Sequence, residues 1–112
     1  MKTNYIYLLK TREFVNTGEY IYKVGRTSKE NFERFNQYPK GSIIYYQQIC
    51  NNCVNMERII LKLFQEKFKH KTKFGREYFE GCYKDMIDVI YSNIKNENAE
   101  VEEEVEVEAE RA

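Results

Sequence analysis

A carboxylate on an apolar helix stripe needs a partner, and Glu57 reads as such a residue. Helical spacing over 52–69 sets Val54, Leu61, Phe64 and Phe68 on one face, and Glu57 falls three after Val54 and four before Leu61. Burying that charge is costly unless a cation or a hydrogen-bond donor meets it. The pattern points to a carboxylate aimed at a metal ion or an arginine; a place at the edge of the stripe, or a pair with neighbouring Arg58, would satisfy it as well. Arg34, between Phe32 and Phe35, borders a buried face, where a surface arginine with a packed stem is the simplest account. Arg26, Lys29, Lys40, Lys71, Lys73 and Arg76 fall in expected loops or at element ends, with Tyr and Phe interleaved. Cations so placed suit contacts to phosphate. Cys50-Asn51-Asn52-Cys53 is a C-x-x-C that His70 and Cys82 would complete as a Cys₃His zinc set. The other two ligands stand at irregular distances, and small buried thiols explain the same residues.

The elements that must position these groups follow from periodicity. Tyr5-Ile6-Tyr7-Leu8-Leu9-Lys10 is β-branched and aromatic and reads as a strand. A polar stretch over 11–18 ends in Asn16-Thr17-Gly18, a turn signal, and Tyr20-Ile21-Tyr22-Lys23-Val24-Gly25 returns as the second strand of an antiparallel hairpin. Ser28 suits the N-cap of a helix over 29–38, stopped at Pro39-Lys40-Gly41, the chain's one proline. A third strand over 42–49 precedes the long helix over 52–69. The basic linker His70-Lys71-Thr72-Lys73-Phe74-Gly75 leads to a strand-like Arg76-Glu77-Tyr78-Phe79. A last amphipathic helix over 83–95 shows Met86, Ile87, Ile90, Tyr91 and Ile94 at helical spacing. The order β-β-α-β-α-β-α predicts an α+β fold, a small antiparallel sheet flanked by helices.

With 112 residues the chain suits one domain. Zero net charge conceals a division: 1–96 carry 17 Lys/Arg against 10 Asp/Glu, while 97–112 carry 8 Glu and one Arg. The first part reads as a basic domain. The second reads as an acidic tail, disordered or weakly helical, that either solubilises the chain or covers the basic face until a polyanion displaces it. No apolar run approaches the roughly 20 residues of a membrane span, and Met1-Lys2-Thr3-Asn4-Tyr5 lacks the basic-then-apolar pattern of a secretory signal, so none is expected. Three cysteines, an odd count, argue against a disulfide framework and for a reducing, intracellular compartment. Ten tyrosines exceed what so small a core needs, so some are expected to face a ligand. A basic, Tyr-rich domain has the electrostatic footprint of a nucleic-acid binder.

Taken in order, Tyr5-Ile6-Tyr7, Lys23-Val24-Gly25-Arg26-Thr27-Ser28, Arg34, Glu57 and Arg76-Glu77-Tyr78-Phe79 resemble the GIY-YIG nuclease superfamily. Within it the chain is similar to the small DNA-binding-domain branch of phages and large DNA viruses. The resemblance covers roughly 4–92. It implies a DNA partner and a site in which Tyr7 matches the first-motif tyrosine, Arg34 the helix arginine, and Glu57 the ligand of one Mg²⁺ or Mn²⁺. Such a cation would polarise the scissile phosphate of an endonuclease. The chain departs from the pattern at Tyr5, where glycine is usual, and at Lys23, which replaces the second tyrosine. A lysine there could hold phosphate or act as a base. The expected function is thus DNA binding without cleavage, with metal-dependent cleavage through Tyr7, Lys23, Arg34 and Glu57 as the alternative.

Overall fold

Strand alternation decides which residues of the hairpin meet the helices. Strand β1 (Tyr5–Lys10) pairs antiparallel with β2 (Ile21–Thr27), setting Ile6 opposite Arg26, Tyr7 opposite Gly25 and Leu8 opposite Val24. Opposed residues share a face and successive residues alternate. Ile6, Leu8, Tyr22, Val24 and Arg26 therefore look one way, and Tyr7, Leu9, Lys23 and Gly25 the other.

The computed structural model describes residues 4–28 and 40–111, with side chains through Glu97. Strand β3 (Ile43–Ile49) pairs with the far side of β1, and β5 (Tyr78–Glu80) lies between β2 and the two-residue β4 (Lys69–His70). All pairings are antiparallel, in the order β3-β1-β2-β5-β4. Helices α2 (Cys53–Lys67) and α3 (Tyr83–Arg111) cover the face carrying Ile6, Leu8, Tyr22, Val24 and Phe79. Met56, Ile60 and Phe64 of α2 and Met86, Val89, Ile90 and Ile94 of α3 close that core. The α+β expectation holds, with five strands and three helices among the described residues. None of these helices is long and apolar enough to cross a membrane.

Four expectations are corrected. The stretch over 11–18 is not a plain turn: it contains a short helix, α1 (Arg12–Thr17), ended by Gly18 at φ 75°. The reason is Phe14, which the helix buries edge-on against Phe74 at 4.9 Å, while the left-handed Gly18 lets its N–H reach the Phe14 carbonyl. Next, the helix expected over 52–69 stops at Lys67, because Lys69 and the first linker residue, His70, pair with Glu80 and Phe79, while 71–75 form the turn between β4 and β5. Third, the buried row of α2 is Cys53, Met56, Ile60 and Phe64, and Val54 is 64% exposed. Glu57 consequently flanks the buried row instead of interrupting it. Counting from Val54 put the stripe one residue out of phase, because a helix whose apolar residues occupy two adjacent rows does not say which row faces the sheet. The last correction concerns sulfur. Cys50 and Cys53 form a disulfide, with Cα atoms 5.6 Å apart, and Cys82 stays free. The chain leaves β3 and enters α2 between the two cysteines, and that tight entry brings the thiols together.

The expected helix over 29–38, with Lys29 and Arg34, lies outside the described residues. Helix α3 continues from the core into the acidic stretch and stays helical to Arg111. At its boundary Glu97 folds back, and its carboxylate accepts from the backbone N–H groups of Asn51 and Asn52 at 3.2 and 3.5 Å. These amides lie at the start of α2, where unpaired donors and the helix dipole favour an anion.

Candidate nucleic-acid interface

Glu57 occupies the second turn of α2, beside buried Met56, and looks across at the end of β2. There its Oε1 lies 3.7 Å from Nε of Arg26. Both partners keep contact with water, with Glu57 21% and Arg26 45% exposed. Arg58, the neighbour in sequence, turns instead to Asn55, donating to its Oδ1 at 2.6 Å. Partial burial pushes the Glu57 acid above its ordinary value, and the nearby charge of Glu77 pushes the same way. Arg26, through its charge and a backbone hydrogen bond, and Arg76 pull against them without restoring it.

A second ion pair stands next to the first. Lys23 Nζ lies 3.7 Å from Glu77 Oε2 and 5.9 Å from the centre of the Tyr78 ring. The backbone arranges this, because the N–H of Val24 donates to the Glu77 carbonyl at 3.0 Å, just where β5 begins to pair with β2. Beyond that point β5 no longer flanks β2, and a cleft opens. One arm, about 320 Å³, is lined by Lys23, Glu57, Gly75, Arg76, Glu77 and Tyr78. The other, about 640 Å³, runs along α2 past Asn52, Asn55, Glu57, Arg58, Lys62 and Arg76. Glu57 and Arg76 belong to both arms, so the cleft turns about them.

The structure thus brings together Lys23, Arg26, Glu57 and Arg76, four of the residues expected from sequence. Tyr7 lies over Gly25, on the opposite side of the pleat from Arg26. Lys23 shares the Tyr7 side, yet reaches the cleft through Glu77 at the sheet's open edge. Lys29 and Arg34 fall outside the described residues. Lys71 is half-buried next to β5, and Lys73 is exposed with its ammonium 4.9 Å over the Phe74 ring. Lys40 is exposed in the turn before β3. The zinc set is not assembled: Cys50 and Cys53 are bonded to each other, and His70 stacks on Phe79 while its Nε2 bonds the Arg76 carbonyl at 2.8 Å. Among the described residues no group of three or more His, Cys, Asp or Glu is placed to hold a metal ion. Glu77 is the participant that sequence reasoning left without a role. Its pairing with Lys23 depends on the β2–β5 register, which no local pattern encodes.

Gly25 makes the seat of Tyr7 testable. A Cβ there would stand 2.5 Å from the Tyr7 hydroxyl oxygen and 2.8 Å from its ring carbon, and Tyr7 is only 3% exposed. Gly25→Ala is expected to force the ring aside and cost about 1–3 kcal/mol, the range of an overpacked core. Urea unfolding measures it, and a variant as stable as the parent would show that the ring is not held there.

Comparison with family models matches residues 4–94 to the T5orf172 domain. Comparison with curated proteins and with solved structures finds no match.

Proposed function

The chain belongs to the T5orf172 domain family, a phage-associated domain of the nuclease-like and DNA-binding kind, and on that premise we propose that it binds DNA by the phosphate backbone in the cleft around Glu57 and Arg76. The observation that carries this reading is the convergence of Lys23, Arg26 and Arg76 on one open cleft, with two carboxylates between them. Carboxylates hold the cations in place by long, 3.7 Å contacts, which a phosphate can displace with short charge-assisted hydrogen bonds. Lys71, Lys73 and Lys40 extend the positive charge outside the cleft. Phosphate contacts position a protein and carry no base preference, so this surface reads DNA as a polyanion.

Binding is then governed by counterion release. With about five phosphates neutralised on a duplex, log K should fall against log salt with a slope near −4 to −5. Arg76→Ala is expected to weaken binding uniformly across sequences and to reduce that slope by about one. Titration of a labelled duplex at several salt concentrations measures both. No retention at low salt, or a slope indifferent to Arg76, would remove the cleft from the interface.

A second reading, cleavage of the kind the GIY-YIG resemblance implies, is favoured by Glu57 itself. A hard cation such as Mg²⁺ or Mn²⁺ takes one or two carboxylates and completes its shell with water and phosphate oxygens. Glu57, with Glu77 near enough to raise its acid, fits that donor set. A cation held there would polarise a phosphate oxygen and stabilise the leaving alkoxide. Arg26 and Arg76 would neutralise charge on the phosphate, and Lys23 would join the cleft to the Tyr7 side of the sheet.

A further inference from the structure

The longer arm of the cleft holds more than phosphate chemistry requires. Met56, Ile60 and Phe64 face the core, so the residues half a turn from them on α2 face outward. Asn55, Arg58, Lys62 and Gln65 form that outward row at spacings of three and four. Arg58, Lys62 and Gln65 are exposed and Asn55 is half-buried. All four line the arm of about 640 Å³, together with Val54 and Leu61. The two acids of α2 flank the row: Glu57 on one side, paired with Arg26, and Glu66 one turn past Lys62.

A row that only tracked phosphates would need cations alone. This one sets two cations between two amides and adds an apolar margin. Base edges in the major groove ask for that mixture: guanine O6 and N7 accept from Arg or Lys, adenine N6 and N7 pair with Asn or Gln, and the thymine methyl takes an apolar contact. Val54, 64% exposed, and half-buried Leu61 have no use for a phosphate, whereas a thymine methyl would cover them. Arg58 is already oriented, because its Nη2 donates to Asn55 Oδ1 at 2.6 Å and leaves the other guanidinium donors for a base. Asn52 caps the helix beside it, its side chain accepting from the Asn55 N–H at 3.4 Å.

The dimensions agree. Asn55 to Gln65 spans about 15 Å of helix axis, the rise of roughly four base pairs. An α-helix enters a major groove roughly 12 Å wide, and the strand phosphates then border it. Arg76, which lines this arm and the smaller one, stands on that border.

We propose that α2 lies in the major groove of duplex DNA and reads base edges, with Arg58 and Lys62 on guanine and Gln65 on adenine. The proposal rests on the reading that the chain binds DNA at this cleft. It adds a sequence preference, which phosphate contacts by Arg26 and Arg76 do not carry.

Selection of bound duplexes from a random pool by the full chain tests it. A site of about four base pairs that includes guanine should be enriched, and should bind at least tenfold more tightly than a scrambled duplex. Arg58→Ala, at an exposed position, should lower that ratio about tenfold by relaxing a guanine position, and Gln65→Ala should relax an adenine position instead. Replacing the selected guanine by 7-deazaguanine, which removes N7 from the major groove, should act as Arg58→Ala does. Replacing it by hypoxanthine, which removes only a minor-groove amine, should leave the preference in place. Arg76→Ala should weaken selected and scrambled duplexes alike. Binding with no enriched site, a preference that survives both Arg58→Ala and Gln65→Ala, or one lost with hypoxanthine and kept with 7-deazaguanine, overturns the proposal and leaves the DNA-binding reading standing. No retention of any duplex at low salt overturns that reading, and this proposal with it.

Discussion

Phe79→Ala is expected to destabilise the chain by about 3–5 kcal/mol, the loss typical of emptying a buried phenyl site. Phe79 has no exposed surface, meets the edge of Phe64 with ring centres 5.3 Å apart, and is stacked by His70 at 4.6 Å with the planes 8° apart. It sits opposite Tyr22 on one side and His70 on the other, in a strand of only three residues. So short a strand has little ladder of its own, and this ring fastens it to α2. A loss of that size is a large share of the roughly 5–15 kcal/mol by which domains are stable. Urea unfolding of the variant should therefore show a clearly lowered midpoint with the slope unchanged. The consequence reaches the cleft, because Arg76, Glu77 and Tyr78 lead directly into Phe79. Phe79→Leu, which keeps most of the volume, should lose much less and retain DNA. A cost for Phe79→Ala below about 1 kcal/mol would mean that β5 is held by something other than this ring.

Much of the scaffold is legible in the sequence, for reasons that are local. The two long helices and the first three strands repeat their apolar residues at one period for long enough to be distinguished. What is not legible depends on distant pairing. β4 is two residues whose strand character exists only because β5 lies alongside. α1 is stabilised by Phe14 meeting Phe74 from sixty residues further on. The disulfide is hidden for a different reason: an odd cysteine count describes the whole chain, whereas Cys50 and Cys53 are joined by the local path from β3 into α2.

The candidate site divides in the same way. Glu57 is recognisable as a carboxylate beside apolar neighbours, even though Val54 points to the wrong row, because a charge between Met56 and Ile60 must leave the core by the nearest flank. Its partner is not recognisable. On paper the neighbouring Arg58 is the partner at hand and Arg26 a phosphate contact, and only the register that puts Ile6 opposite Arg26 turns that guanidinium toward α2. The tyrosine surplus goes largely into packing that composition does not reveal: Tyr7 and Tyr22 are buried, and Tyr22, Tyr45 and Tyr83 rest on one another.

Glu57→Gln is expected to produce a chain that is more stable, binds DNA more tightly and cuts none. The stability sign follows from the raised acid. Between the ordinary glutamate value of about 4.3 and the higher folded value, the folded state binds more protons than the unfolded state. Stability therefore falls as pH rises through that window, and above it the ionised Glu57 carries a constant penalty. Glutamine has nearly the same shape and no charge to desolvate, so the variant should gain at pH 7 and converge on the parent below about pH 4. Arg26 loses its partner but is open to water, so little of the gain is offset. Binding should strengthen several-fold at low salt, because a negative charge leaves the space between Arg26 and Arg76. Nicking of supercoiled plasmid in Mg²⁺ or Mn²⁺, if the parent shows it, should disappear with the carboxylate. Urea unfolding against pH, duplex titration and plasmid relaxation measure the three effects separately. A carboxylate kept for structure would behave in the opposite sense, with its loss weakening the fold. Weaker DNA retention by the variant, or nicking that survives it, would take Glu57 out of the site. Greater stability bought with lost chemistry is the mark of a residue held against its own solvation by function.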